Sequence, residues 1–425
     1  MVQIFFRHGE RTPNRVDVLE SIGRKANISK EWPFNASGKA PKALFSVPGP
    51  KLVAIDDEVE KPLLPGGRRP ILCDKGELTD VGRASATELG RRLRKLYVEE
   101  LNFMPVSLDS PEMIHLRSTQ YQRTFVSLQH VFSGLYPDDF VDRRGGAVLA
   151  AVADPRDESL FPPEDHDARF AALLQDFSRK AAIKWNHSPE LRYVNDKLGR
   201  WMPGPAPLAI DSKPLRLHDV LDTISAVAAT PRPEDFLPPD LLDPGIRAVM
   251  ERICAEEEFS GYLFSSEFRR LGVGKLLQEA VRRMSDVKPG DAQMPGRQSP
   301  RMLLFACHDS TLAGILTSLG VMKDPDWFWP PYSAHVTMEL FHRVADGVAD
   351  DDSIPSSDNG CSRFFRLKYQ GKPVILPCAV GKGNHLPGHE DICTFEALAD
   401  AINEFAPARW HPPIASPSHD EKSRI

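Results

Sequence analysis

A histidine between two arginines, in the run Arg7-His8-Gly9-Glu10-Arg11-Thr12-Pro13, is the group of residues in this chain best equipped for chemistry. Two guanidinium forks suit the oxygens of a phosphate dianion. A neutral imidazole held between them can attack phosphorus. The apolar run Val2-Gln3-Ile4-Phe5-Phe6 ahead of it reads as a buried strand. Gly9 and the Thr12-Pro13 step break that strand sharply. The reactive residues therefore stand where a strand hands over to a loop.

Two further units share this form. Far downstream, the apolar run Leu303-Leu304-Phe305-Ala306-Cys307 leads into His308-Asp309-Ser310-Thr311. The segment from Leu312 to Gly320 follows, apolar at helical spacing and closed by its glycine. Between the two, Met113-Ile114-His115-Leu116 is strand-like and runs into Arg117-Ser118-Thr119. Tyr121-Gln122-Arg123-Thr124-Phe125 then opens a helix through about Leu135. Each unit is a strand, a polar tip and a helix.

The first run resembles the RHGxRTP signature of the histidine phosphatase superfamily, in its acid phosphatase branch (branch 2), with Arg7, His8, Gly9, Arg11, Thr12 and Pro13 on the fixed letters. The resemblance implies that His8 is a nucleophile carrying a transient phosphoryl group. His308-Asp309 resembles the family's second signature, which implies phosphate binding by His308 and proton donation to the leaving alcohol by Asp309. Arg117-Ser118-Thr119 with Arg123-Thr124 resembles the family's RST-x-x-x-RT pattern, and its first arginine, Arg117, is taken as the third guanidinium of the pocket. Gln120 stands where many members carry an acidic residue. Gly76-Glu77-Leu78-Thr79-Asp80-Val81-Gly82 resembles the family's GxLTxxG helix start, with Thr79 as its cap.

The chemistry explains the residue types. A phosphate monoester repels nucleophiles, so transfer needs charge neutralisation and in-line placement above all. Arg7, Arg11 and Arg117 can hold the equatorial oxygens and His308 adds a donor. The attacking nitrogen of His8 must be unprotonated, so its other nitrogen needs an acceptor; a backbone carbonyl near Gly9 is the expected one. Asp309 must be protonated to act as an acid, which calls for burial or a neighbouring negative charge to raise its pKa. An acidic pH optimum follows. The scheme requires no metal or other cofactor, because the arginines supply the electrostatics.

Taken singly, each residue has a plainer reading. His8 would be a core or surface histidine, Arg117 a solvated arginine and Asp309 a helix cap. Three strand ends supplying matching groups in the family's order outweigh those readings together. His218-Asp219 is a contrasting pair: no strand leads into it, and Leu215 to Leu221 reads as part of a helix away from the pocket.

Composition agrees with an enzyme of ordinary globular type. Hydrophobic content of 41% and charged content of 26% over 425 residues suit a large core in two structural units. A net charge of −6 argues against a nucleic-acid partner but not against a small phosphorylated substrate. No window is apolar enough to span a membrane. A strand at Met1 leaves no signal peptide ahead of it, so the chain as it stands is expected in the cytoplasm, or in mitochondria or the secretory route if an extension precedes it. The six cysteines form no disulfide framework or metal motif. Cys307 reads as a buried small hydrophobe, and Cys378 with Cys393 could pair in an oxidising compartment.

The expected fold is an α/β three-layer sandwich with a mostly parallel central sheet, phosphoglycerate-mutase-like, with its site at the carboxyl ends of the strands. Residues 1–144 and 291–425 would form this core, and 145–290 an inserted, mostly helical cap. Residues 14–75 read as a long irregular stretch. Ser333 to Phe341 and Phe364 to Tyr369 read as strands joined by an acidic loop, Asp346 to Asp358. Trp327, Trp329 and Tyr332 read as strand-edge packing rather than a wall for an acyl chain. Segments around Trp329-Pro330-Pro331-Tyr332 and Tyr369-Gln370-Gly371-Lys372 resemble the lysophosphatidic acid phosphatase subgroup (type 6), which implies a lipid phosphomonoester substrate. A phytase-like inositol polyphosphate phosphatase, a non-catalytic phospholigand-binding protein and a purely structural protein are the alternatives. The first would want more basic residues in the cap; the others leave His8 with Asp309, or the arginine set, unexplained.

Overall fold

Six consecutive buried residues, Val2–Arg7, form β1, and a strand buried on both faces is what an unbroken apolar run produces. It is followed by α1 (Val16–Ala26), the short β2 (Phe45–Ser46), α2 (Asp80–Arg94), β3 (Ile114–Ser118), α3 (Gln122–Leu135) and β4 (Val148–Val152). A helical stretch then holds α4 (Ala168–Trp185), α5 (Pro189–Leu198), α6 (Leu217–Ala228), α7 (Pro239–Leu242), α8 (Pro244–Phe264), α9 (Ser266–Arg269) and α10 (Lys275–Ser285). The chain returns through β5 (Met302–Cys307), α11 (Asp309–Ser318), β6 (His335–Val344), β7 (Cys361–Tyr369), β8 (Lys372–Val374), β9 (His385–Leu386), β10 (His389–Thr394) and α12 (Phe395–Asn403). This computed structural model describes residues 1–27, 45–46, 75–141, 148–213, 215–287, 300–344 and 361–406. The acidic loop Asp346 to Asp358 and the proline-rich segments at 48–50 and 63–67 lie outside the described residues.

The strands form one sheet in the order β2-β4-β3-β5-β1-β6-β7-β10-β9, with β8 on β7. From β2 to β1 neighbouring strands are parallel; from β1 outward they are antiparallel. The expected parallel centre is present, and an antiparallel flank extends it. One face packs Ile4, Phe6, Leu304 and Ala306 against Leu89, Phe125 and Leu128 of α2 and α3. The other packs Phe5, Phe305 and Cys307 against α8, α10, α11 and α12. Phe5 and Phe305 stack with ring centroids 4.6 Å apart. The result is helix, sheet, helix.

Two features depart from expectation. Val16–Ala26, inside the stretch read as irregular, is a helix that buries Val18, Leu19 and Ile22. Their spacing of one and four residues lies within a single amphipathic face, which the prolines and lysines further along this stretch obscured. That face packs with Ala181, Leu191, Leu217, Ile224 and Ile253 in a core of their own. Conversely, Phe170, Phe259 and Leu277, all between 145 and 290, pack with the sheet. The helical unit and the sheet unit therefore exchange pieces rather than dividing at 145 and 290.

Candidate active site

The parallel register of β1, β5 and β3 sets the level of every strand-end residue. Arg7 pairs with Cys307, so His8 and His308 both lie one step beyond the paired rungs. Arg117 pairs with Phe305, two rungs lower, or about 6.6 Å at 3.3 Å per residue.

The loop after β1 is held on all sides. The His8 amide donates to Cys307 O (3.2 Å), and the Ser333 amide donates to His8 O (3.1 Å). The Gly9 amide donates to Ser127 Oγ on α3 (3.0 Å). Thr12 and Glu77 exchange hydrogen bonds, and the Thr79 amide and hydroxyl both donate to Glu10 O. Thr79 also caps α2 by accepting from the Gly82 amide at 3.2 Å. Gly9 and Gly82 lie backbone to backbone. A Cβ on Gly9 would fall 2.2 Å from Gly82 O, and one on Gly82 would fall 2.1 Å from Glu10 O.

His8 Nδ1 lies 2.8 Å from Gly9 O. A carbonyl only accepts, so Nδ1 carries the hydrogen and Nε2 the lone pair. Burial, reinforced by Arg123, Arg7, His308 and Arg11, keeps this imidazole neutral, with its pKa well below the usual 6.5. His308 is likewise neutral, chiefly through burial and then Arg123. Its Nε2 lies 3.0 Å from Thr119 Oγ1, and Tyr121 and Phe161 pack edge-on to its ring. The two imidazoles stand edge to face, 5.5 Å apart.

Three arginines surround them, and Arg117 is not one of them. Arg117 Nη1 donates to Glu279 (3.0 Å), and its Nη2 donates to Glu158 (2.8 Å) and Ser159 (3.0 Å). Two rungs below the strand tips, its charge is neutralised within the protein. The third guanidinium at the cavity belongs to Arg123, one residue into α3. Arg123 lies over the Tyr121 ring at 4.4 Å and has no carboxylate partner among the described residues. Burial, with Arg11 nearby, lowers its pKa to about 10. The rule that ligands bind beyond the carboxyl ends of parallel strands would have favoured Arg123, which follows the strand, over Arg117, which lies within it.

Arg7 Nη2 pairs with Asp309 Oδ2 at 2.8 Å, its Nη1 donates to Pro330 O at 2.6 Å, and its guanidinium lies 4.1 Å from the centre of the Tyr332 ring. Arg11 pairs with Asp222 of α6 at 2.5 Å and 3.4 Å. Sequence reasoning missed Asp222; nothing in the helical pattern marks it.

Asp309 opens α11. Its Oδ1 accepts from the Ser310 amide and its Oδ2 from the Trp329 indole, both at 2.9 Å. Burial pushes its pKa up, but Arg7, Trp329, His308 and Arg11 outweigh burial and hold the carboxyl below its usual range. The expected upward shift is therefore absent from the protein alone: the surroundings of Asp309 are cations and donors. A phosphoryl dianion placed beside Arg7 would bring the missing negative charge.

These groups form the floor of a cavity of about 970 Å³. Phe161, Leu221, Ala228, Ala248, Phe259 and Phe328 contribute apolar wall. Trp329 and Tyr332 also face it, which corrects the strand-edge reading; Trp327 alone is core, at 6% exposure. Trp329 leaves the edge because it spans Asp309 on one side and His218 and Phe259 on the other. His218 reaches the cavity from α6, whereas Asp219 turns to Arg15. Cys307 is buried as expected, and Cys378 and Cys393 are free thiols.

Comparison with known proteins places the chain in a family. The family model described as histidine phosphatase superfamily (branch 2) matches residues 1–370. A probable acid phosphatase of Schizosaccharomyces pombe is 30% identical over 447 residues, covering 96% of this chain and 92% of that protein. The human lysophosphatidic acid phosphatase type 6 is 26% identical over 424 residues, covering 97% and 85%. Among solved structures, a Hafnia alvei phytase in complex with tartrate aligns with a TM-score of 0.58 at 13% identity, covering 96% of each chain. At that identity the likeness is one of fold.

Proposed function

The chain belongs to branch 2 of the histidine phosphatase superfamily, an acid phosphatase by its family and relatives, and from that premise we propose how its residues divide the reaction. His8 Nε2 attacks phosphorus while Arg7, Arg11, Arg123 and His308 hold the phosphoryl oxygens. The ester P–O bond breaks, and Asp309 gives its proton to the departing alkoxide. Asp309, now a carboxylate, takes a proton from the water that attacks the phosphohistidine, and the P–N bond breaks to release phosphate and restore His8. One observation carries the scheme: the hydrogen bond from His8 Nδ1 to Gly9 O fixes the nucleophilic nitrogen as the one opposite.

We infer that the substrate is lysophosphatidic acid or a related lipid phosphomonoester. The cavity wall supports this. Beyond the phosphate centre it carries Glu164, Glu251 and Glu258, and its Arg247 is engaged by Glu251 at 2.8 Å. Burial and the neighbouring Glu258 and Asp165 raise the pKa of Glu164. A further phosphate of an inositol polyphosphate would find no unpaired guanidinium on this wall among the described residues, because Arg247 is held by Glu251 and Glu258 is itself paired with Arg216 at 3.0 Å. An uncharged glycerol and an acyl chain need none, and the apolar wall favours them. The human relative's name points the same way.

The test is a substrate panel of p-nitrophenyl phosphate, lysophosphatidic acid and phytate from pH 4 to 7.5, with acid- and base-quenched trapping of labelled protein. The expected result is lysophosphatidic acid turnover through a base-stable, acid-labile phosphoenzyme that His8→Ala abolishes. Phytate clearance without lysophosphatidic acid turnover would overturn the substrate class. Near-normal turnover by His8→Ala would overturn the mechanism.

A further inference from the structure

Of the three guanidiniums at the cavity floor, two are already matched by carboxylates from different parts of the chain. Arg7 pairs with Asp309, the proposed acid. Arg11 pairs with Asp222, which the proposed mechanism does not use. Asp222 comes from α6 and grips both terminal nitrogens of Arg11, at 2.5 Å and 3.4 Å, with its side chain 9% exposed. Its Oδ2 also accepts from the Asn14 amide at 3.1 Å, fixing its direction. The charged and titratable groups around it are Arg11 on the catalytic loop, Arg123 on α3, His218 on its own helix, and Tyr332 and Asp309 across the cavity. It lines the same cavity as His8.

Charge counting gives the consequence. With both imidazoles neutral, Arg7, Arg11 and Arg123 carry three positive charges and Asp309 and Asp222 two negative ones, a net of one, which becomes two when Asp309 holds a proton. In either state Asp222 subtracts one positive charge from what a phosphate anion meets. Asp222 also occupies both terminal nitrogens of Arg11, which leaves Nε as its buried nitrogen without a partner.

We propose that Asp222 is a positioning residue that holds Arg11 and competes with the bound phosphoryl group for it, so that the site takes phosphate weakly as a dianion and sheds its inorganic phosphate product. This rests on the phosphatase reading of the site and adds a residue to it. The device places the counter-charge on the helical unit, one ion pair away from the chemistry. Weak product binding keeps turnover from stalling on phosphate, and loss of affinity with rising pH follows as inorganic phosphate gives up its second proton.

The experiment measures the competitive inhibition constant of inorganic phosphate against p-nitrophenyl phosphate from pH 5 to 8 in the full chain and in Asp222→Asn. Asparagine keeps the shape and can still accept from the Asn14 amide. The expected result is about tenfold tighter phosphate at pH 7.5 in Asp222→Asn, equivalent to about 1.4 kcal/mol, with a flatter pH dependence. KM and kcat should both fall, the second because product release slows. Asp222→Glu, which keeps the charge, should restore the steep dependence. Asp222→Ser is the alternative neutral variant if Asp222→Asn fails to fold. A folded, active neutral variant with unchanged or weaker phosphate binding would overturn the role of Asp222. A parent protein without phosphatase activity or phosphate inhibition would overturn the underlying reading instead.

Discussion

Removing Arg117 and Arg123 one at a time should separate holding the fold from holding the phosphate. Arg117→Ala leaves Glu279 and Glu158 without their shared cation, at 3.0 and 2.8 Å, in side chains only 8% and 12% exposed. Breaking a buried pair from one side costs about 3–5 kcal/mol. Arg283 still pairs with Glu279 at 2.8 Å, which puts the cost at the low end, about 3 kcal/mol, or a Tm loss of about 3–4 °C for a chain of this length. The folded protein should keep kcat/KM within about threefold. Arg123→Ala reverses this pattern. It deletes a buried cation without a carboxylate partner, so Tm should hold within about 2 °C, while loss of one preorganised donor should lower kcat/KM by about 10²–10³. The Arg117→Ala deficit also has a pH signature. Burial raises the Glu279 pKa, but Arg117 and Arg283 more than reverse this and hold it below the usual 4.5. A depressed carboxylate contributes stability that is present above its unfolded pKa and lost as pH falls through its folded one. The deficit should therefore be full at neutral pH and shrink on acidification below 4.5. Calorimetric melts paired with steady-state kinetics test both variants. An Arg117→Ala protein with parental Tm but 100-fold lower kcat/KM, beside an active Arg123→Ala, would refute the reassignment.

The remaining expectations concern the acid and the loop. Asp309→Asn should slow alkyl phosphates by about 10²–10⁴ and p-nitrophenyl phosphate much less, since nitrophenolate needs little protonation; equal losses on both would remove Asp309 from the proton-donor role. Trp329→Phe deletes the indole hydrogen bond that helps keep Asp309 ionised, so the alkaline limb of the kcat profile should move up by about one pH unit. An unmoved limb would show that the indole does not tune the acid. Gly82→Ala should cost stability on the order of 1–3 kcal/mol and depress kcat, because its Cβ would fall 2.1 Å from Glu10 O; a crystal structure with the loop undisplaced and kcat intact would contradict this.

The strand tips were legible because their cause is local. An apolar run that stops at a glycine or a polar pair locates a sheet edge, and β1 and β5 end where those signals fall. The choice between Arg117 and Arg123 was not local, since it depends on register across β3 and β5 and on Glu279, 162 residues away, taking the former. Asp222 and Trp329 were hidden for the same reason. One is an unremarkable helix position and the other an aromatic before a strand, and only folding brings them to Arg11 and Asp309. Val16–Ala26 was lost to its neighbours' composition, although its own apolar spacing was helical.

Where Gly9 and Gly82 touch, main chain rests on main chain, and no side chain lies between them to yield. The nucleophile's loop has no slack on that side, and α2 and α3 brace the attacking nitrogen from two directions, through Gly82 and Ser127.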